Sequence, residues 1–200
     1  MFILKKVLRS WFSHLIKISP VQASKVLYYK TFQKRLDLKK VETFNEKLMW
    51  LKLYEDDSLK TKCADKYLVR DYVRKAGYSH TLIDLYKVYE RVEDINFQEL
   101  PDKFVMKCTH ASGFNVICQN KDVLNKKETI LKLKKWMDTE YGLLACEPHY
   151  SKIKPRIIVE RFLDEEVNGQ LPIDYMIHCF HGVPHVIEVG VDYKKKKKKY

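Results

Sequence analysis

Three groups of residues in this chain have the types and the order needed to hold a phosphorylated ligand. The first is Asp65-Lys66, ahead of a helical run. The second is Lys107 with the small polar segment Thr109-His110-Ala111-Ser112-Gly113 that follows it. The third is Glu160, near the end of the apolar run Arg156–Phe162 and just before the acidic segment Leu163–Leu171. Phosphates call for cations and backbone N–H groups. A base needs a backbone edge with apolar walls, and a ribose needs an acidic group. Lys66 and Lys107 suit the first requirement, Glu160 to Leu163 the second, and Glu165 or Glu166 the third. Taken singly these are weak signals, because a lysine beside a loop with one glycine also describes an ordinary hairpin with a surface lysine. Their order along the chain is more specific. His110, inside a tight loop, reads as a hydrogen-bonding or phosphate-contacting residue rather than a general acid or base.

Other chemistries have less support. The five cysteines are odd in number and form no C-x-x-C, and Cys108, Cys118 and Cys179 lie in apolar runs. That pattern predicts reduced, buried thiols in a cytosolic compartment rather than a disulfide framework or a zinc site. No D-x-D occurs, which removes the usual metal motif of nucleotide-sugar transfer. No uncharged apolar stretch has the length of a membrane span.

The elements that must position these groups follow from capping and periodicity. Residues 1–19 carry Lys5, Arg9 and Lys17 on one helical face and Leu4, Leu8, Trp11, Leu15 and Ile18 on another. Arg9 interrupts what would be a secretory apolar core. Such a basic amphipathic helix suits either an anionic membrane interface or packing on its own domain. The helical pattern continues over Val21–Arg35. Thr43 and Glu46 have capping-box spacing, which predicts a helix carrying Phe44, Leu48, Trp50 and Leu51 inward. Thr61–Ala76 reads as one helix stopped by Gly77. Strands are expected over Thr81–Tyr89, Phe104–Cys108, Asn115–Cys118, Arg156–Phe162, Asp174–Phe180 and Val186–Val191, with a helix over Lys126–Tyr141. The order predicts an α+β protein with N-terminal helices followed by antiparallel sheet lobes. It divides into a helical segment 1–40, a main domain 41–193 and a lysine tail 194–200.

With 46% hydrophobic residues in 200, this is a folding chain. The net charge is +12, and Lys194–Lys199 account for six of it, leaving about +6 on the body (12 − 6). That balance suits anionic partners such as nucleotides or sugar phosphates. The basic residues are dispersed and form no recognised nucleic-acid module, so no specific nucleic acid is expected.

Five blocks carry a family resemblance: FNEKLMWLKLY (Phe44–Tyr54), LKTKCADKYLVRDYV (Leu59–Val73), LPDKFVMKCTHASG (Leu100–Gly113), KPRIIVERFL (Lys154–Leu163) and DYMIHCFHGVP (Asp174–Pro184). Together they resemble the TupA-like ATP-grasp family of bacterial cell-surface polysaccharide clusters, whose members are often labelled glycosyltransferases. The resemblance runs over about Val41–Asp192. It implies an ATP-grasp fold, in which two α+β lobes clamp ATP between antiparallel sheets. It also implies ligase chemistry, in which a carboxylate is activated as an acylphosphate and joined to an amine or thiol. By the same resemblance Lys66 and Lys107 would contact phosphates, and the loop with His110, Ser112 and Gly113 would close over them. Glu160 and the backbone of Arg161, Phe162 and Leu163 would hold adenine, with Glu166 or Glu165 toward the ribose.

Two departures qualify what the resemblance implies. Met176 stands where members commonly have a lysine. The block expected to carry the Mg2+ ligands would follow Asp192-Tyr193, where this sequence has six lysines and Tyr200. The last lobe is therefore expected to be incomplete and the chain to be a C-terminally truncated form, its lysine run read as slippage in an adenine tract, with a genuine solvated basic tail as the alternative. The expected function is an ATP-dependent, ligase-type protein of bacterial cell-surface polysaccharide biosynthesis. Its partners would be a nucleotide and a sugar or polysaccharide precursor. It would be cytoplasmic, or peripheral at the inner membrane face through residues 1–19. A glycosyltransferase acting on a nucleotide-sugar and an inactive truncated product are the competing readings.

Overall fold

The computed structural model describes residues 12, 14–55, 58–144, 146–163 and 173–190. The expectations placed on the amphipathic segment 1–11, on Glu165 and Glu166, and on the lysine tail lie outside them. The chain divides into two compact units, Met1–Arg161 and Phe162–Tyr200. Among the described residues no helix is long and apolar enough to cross a membrane.

The first unit begins with helices. Helix α1 (Pro20–Phe32) starts where the Ser19 side chain accepts a hydrogen bond from Gln22 N–H and proline occupies the first turn. It buries Ala23, Ser24 and Tyr28. Ala23, Ile16 and Cys146 form a small core, where Cys146 Sγ lies 3.2 Å from Ser24 Oγ. Helix α2 (Phe44–Tyr54) has the expected capping box: Thr43 Oγ1 accepts from Glu46 N–H, and the Glu46 carboxylate accepts from Thr43 N–H at 2.8 Å. The inward face expected of α2 does not exist. Phe44, Leu48, Trp50 and Leu51 are all exposed, and the helix buries no residue. A cap sets where a helix begins whatever it packs on; burial needs a second surface.

The single helix expected over Thr61–Ala76 is two, α3 (Ser58–Ala64) and α4 (Leu68–Lys75). The break has a local cause. The buried Asp65 carboxylate accepts from the N–H groups of Tyr67 (2.8 Å) and Leu68 (3.2 Å), which starts a new helix just after α3 ends. Lys66 sits in that break.

Four strands form one antiparallel sheet, β1 (Leu85–Tyr89), β2 (Phe104–Cys108), β3 (Asn115–Cys118) and β4 (Ile157–Arg161), in the order β1-β4-β2-β3. Chain neighbours β2 and β3 form the expected hairpin, and β4 inserts between β1 and β2. The short helical turns Val92–Asp94 and Phe97–Glu99 connect β1 to β2. Alternation along the strands separates two faces. Phe104, Met106, Cys108, Val116, Cys118, Ile157 and Val159 point into a core closed by Leu133 of α5 (Lys126–Met137) and by Val92 and Leu100. Val105, Lys107, Ile158 and Glu160 belong to the opposite face. Past α5, the short helix α6 (Tyr141–Leu144) and the turn Pro148–Lys152 lead into β4.

In the second unit, β5 (Asp174–Phe180) and β6 (Val183–Gly190) form an antiparallel hairpin. His181 (φ 52°) and Gly182 (φ 78°) make its two-residue turn, the left-handed pair that matches strand twist. Pro184 falls where the register shifts, between His178 and Cys179 on the partner strand, so the missing N–H interrupts an irregular part of the ladder.

Candidate functional site

The sheet face opposite the core carries two cations on one carboxylate. Glu160 in β4 is buried, and its two oxygens have different partners. Oε1 accepts from Arg70 Nη1 of α4 at 3.0 Å, and Oε2 pairs with Lys107 Nζ of β2 at 2.7 Å. The pairing Val105↔Glu160 and Lys107↔Ile158 makes Lys107 and Glu160 diagonal neighbours on one face of adjacent strands, with the Met106↔Val159 pair between them. Arg70 also donates through Nη2 to the carbonyl of Ile83, which fixes its guanidinium plane. The side chains of Arg70 and Glu160 are 7% and 8% exposed, whereas that of Lys107 is 28% exposed. Of the three, Lys107 is the one a ligand can reach.

Lys66 completes the cationic surface. Its ammonium donates to the carbonyl of Ala111 in the β2–β3 loop. Burial holds it below the ordinary lysine range, and the nearby Lys107 adds to that, while Asp65 and Glu160 oppose it. Asp65 is also paired with Arg156 Nη1 at 3.5 Å, and the Arg156 guanidinium lies over the Tyr67 ring. Arg156 also pairs with Glu90, which Lys154 holds in turn, so Lys66, Arg70, Lys107, Arg156 and Lys154 stand against Asp65, Glu160 and Glu90, five cations to three carboxylates. The excess of two positive charges in a half-buried setting suits an anionic ligand.

The loop between β2 and β3 is tied down on one side and open on the other. Thr109 is fully buried: its N–H donates to the carbonyl of Arg156 (2.9 Å), its hydroxyl donates to the carbonyl of Lys154, and the hydroxyl oxygen accepts from Arg156 N–H. Cys108 N–H donates across the loop to the carbonyl of Phe114. The Phe114 ring stacks on Trp136 of α5 with centroids 4.9 Å apart. Ser112 and Gly113 form the exposed rim. Gly113 has φ 76°, a conformation that strains any side-chain-bearing residue, and the space where a Cβ would stand is empty.

The site residues expected from sequence therefore separate. Lys66, Lys107, Glu160 and the loop residues Ser112 and Gly113 gather around one face of the sheet. His110 is in the loop but turned under it: it is 3% exposed, and its Nε2–H donates to the Trp136 carbonyl at 3.1 Å. Burial pushes the His110 imidazole below its ordinary range, so the ring is neutral at neutral pH. Glu160 holds two side-chain cations, one on each oxygen. Arg161 is exposed and pairs with Asp84 at 3.0 Å. Phe162 and Leu163 open the second unit, and Glu166 is outside the described residues. Arg70 was not among the expected site residues. Its one sequence signal is its place four residues after Lys66, and an arginine in a helix is ordinarily read as solvent-facing. The expectation of buried thiols holds for Cys108, Cys118 and Cys146; Cys63 of α3 and Cys179 of β5 are exposed. Burial pushes the Cys108 thiol up to about 12, so it is inert despite lying near Lys66.

Among the described residues no group of three or more His, Cys, Asp or Glu side chains could hold a metal ion. The Mg2+ that the resemblance implies thus has no fitting donor set there.

A family model described as TupA-like ATPgrasp matches residues 46–200. No curated protein and no solved structure matches the chain.

Proposed function

Since the chain belongs to the TupA-like ATP-grasp family, we propose that it binds ATP on the cationic face of the β1-β4-β2-β3 sheet and uses it in ligase-type chemistry serving bacterial cell-surface polysaccharide biosynthesis. The observation that carries the ATP site is the convergence of Lys66 and Lys107, from chain positions far apart, beside the open rim of the β2–β3 loop. ATP in such proteins supplies a phosphoryl group that activates a carboxylate for attack by an amine or thiol.

The residues present fit the nucleotide. Lys107 has solvent access and shares its carboxylate with a second cation, so its charge is not cancelled. Lys66 rests on a neutral carbonyl, which an anionic phosphate would replace with a stronger, charge-assisted acceptor. The exposed backbone at Gly113 offers an N–H group with no side chain of its own in the way. Phosphoryl chemistry asks the protein mainly for position and charge, and these are what this face supplies. His110, neutral and engaged with Trp136, holds the loop to α5. The backbone at Arg161, the last residue of β4, is the part of the first unit that the family resemblance gives to the adenine.

Titration calorimetry of ATP against the wild type and Lys107→Ala tests the site. The variant is expected to bind at least about tenfold more weakly, the scale of one lost close charge. Equal affinities would overturn the assignment.

A further inference from the structure

The Arg70–Glu160–Lys107 triad shows a charge arrangement with its own consequence. A lysine paired alone with a buried carboxylate forms a neutral pair and presents little net field to a phosphate. Here the carboxylate is already satisfied on its other oxygen. Arg70 Nη1 holds Oε1 at 3.0 Å, while Lys107 holds Oε2 at 2.7 Å. One anion between two cations leaves a net charge of +1. That charge has one exit, because Arg70 is buried and pinned to Ile83 as well, whereas Lys107 is partly exposed. Glu160 cannot turn to give Lys107 both oxygens without leaving a buried guanidinium unpaired, which is strongly unfavourable.

We propose that Arg70 is a positioning residue that neutralises Glu160 and aims it, so that Lys107 is oriented by the carboxylate yet keeps its charge for an anionic ligand. The role is distinct from contact with that ligand, which Arg70 does not reach. It rests on the nucleotide reading for its purpose, though not for its geometry. An arginine is required because one planar guanidinium spans two acceptors, the carboxylate and the Ile83 carbonyl, while an ammonium is a single point charge.

The test uses the full chain and two readouts. The first is competitive acetylation of Lys107, followed by mass spectrometry, which needs no nucleotide. In Arg70→Met the uncompensated carboxylate binds the ammonium more tightly, and labelling slows about threefold or more. In Arg70→Met/Glu160→Gln, both buried charges are gone and labelling returns to at least the wild-type rate. Arg70→Lys keeps the charge and gives an intermediate rate. If Arg70→Met does not fold by circular dichroism, Glu160→Gln, which keeps an acceptor for Arg70, must accelerate Lys107 labelling. The second readout is ATP affinity: weaker by about tenfold in Arg70→Met and recovered in the double variant. A merely structural Arg70 would not be rescued by removing its partner. Unchanged labelling across these variants overturns the triad, whatever ATP does. A wild type that binds no ATP but shows the labelling pattern overturns the nucleotide reading and leaves the triad standing.

Discussion

Strands β4 and β5 are both rich in apolar residues, and they meet opposite fates. In β4 the residues Ile157 to Glu160 are all buried; in β5 every residue from Asp174 to Phe180 is exposed. β4 pairs on both edges, with β1 and β2, and α5 closes one face of its sheet. Among the described residues β5 has one partner, in a two-stranded hairpin of the kind that is marginal by itself. Their carboxylates differ in the same way. Glu160 is enclosed with two permanent cations, while Glu188 of β6 has His178 at 3.4 Å on an exposed surface. Strand propensity and alternation are thus common to both units. The number of paired edges and a covering helix decide whether a strand becomes a core or a surface.

Four measurements break or sharpen this contrast. In urea unfolding of the full chain, Phe104→Ala in the core face is expected to lose about 3–5 kcal/mol, whereas Ile177→Ala in the hairpin stays within about 0.5 kcal/mol. A comparable loss at Ile177 would mean that the hairpin is covered in solution. Glu160→Leu leaves Arg70 buried without its partner and should lose about 3–5 kcal/mol, against less than about 1 kcal/mol for Glu188→Leu. Equal effects would place the two carboxylates in the same environment. Alkylation with iodoacetamide at pH 8 should modify the exposed Cys63 and Cys179 and leave Cys108, Cys118 and Cys146 protected, as read by peptide mass. Rapid modification of Cys108 would contradict its burial and a thiol held near about 12.

The smallest effect concerns His110. Burial lowers its proton affinity in the folded state, so the unfolded chain binds more protons at this position below the ordinary value of 6.5. Stability is therefore full above that value and declines as pH falls from 6.5 toward the folded value. His149 is displaced in the same direction by burial and contributes in the same sense. Unfolding midpoints at pH 7.5 and 5.5 should differ less in His110→Gln than in the wild type. An unchanged difference would assign the acid sensitivity elsewhere.

Much of the scaffold was legible because it is written in local chemistry. The bounds of β2, β3 and β5 agree with the runs that suggested them, and the Thr43–Glu46 capping box is present as spaced. The break between α3 and α4 was hidden because periodicity runs straight through it, while a buried Asp65 caps the second helix. The inward face expected for α2 failed for the complementary reason. An apolar stripe records a capacity for burial, and among the described residues no surface packs closely enough on α2 to bury one of its residues.

By itself the sequence determined the capped start of α2, the runs that form β2, β3 and β5, and the family to which the chain belongs. These depend on residues that are neighbours in the chain or on motifs read in series. Tertiary structure alone decided which charges meet. Arg70 and Glu160 stand 90 residues apart, and only the insertion of β4 between β1 and β2, with α4 laid near its end, puts a guanidinium on one oxygen and Lys107 on the other. A buried charge must find a partner wherever the fold supplies one, and that partner has no fixed spacing in sequence.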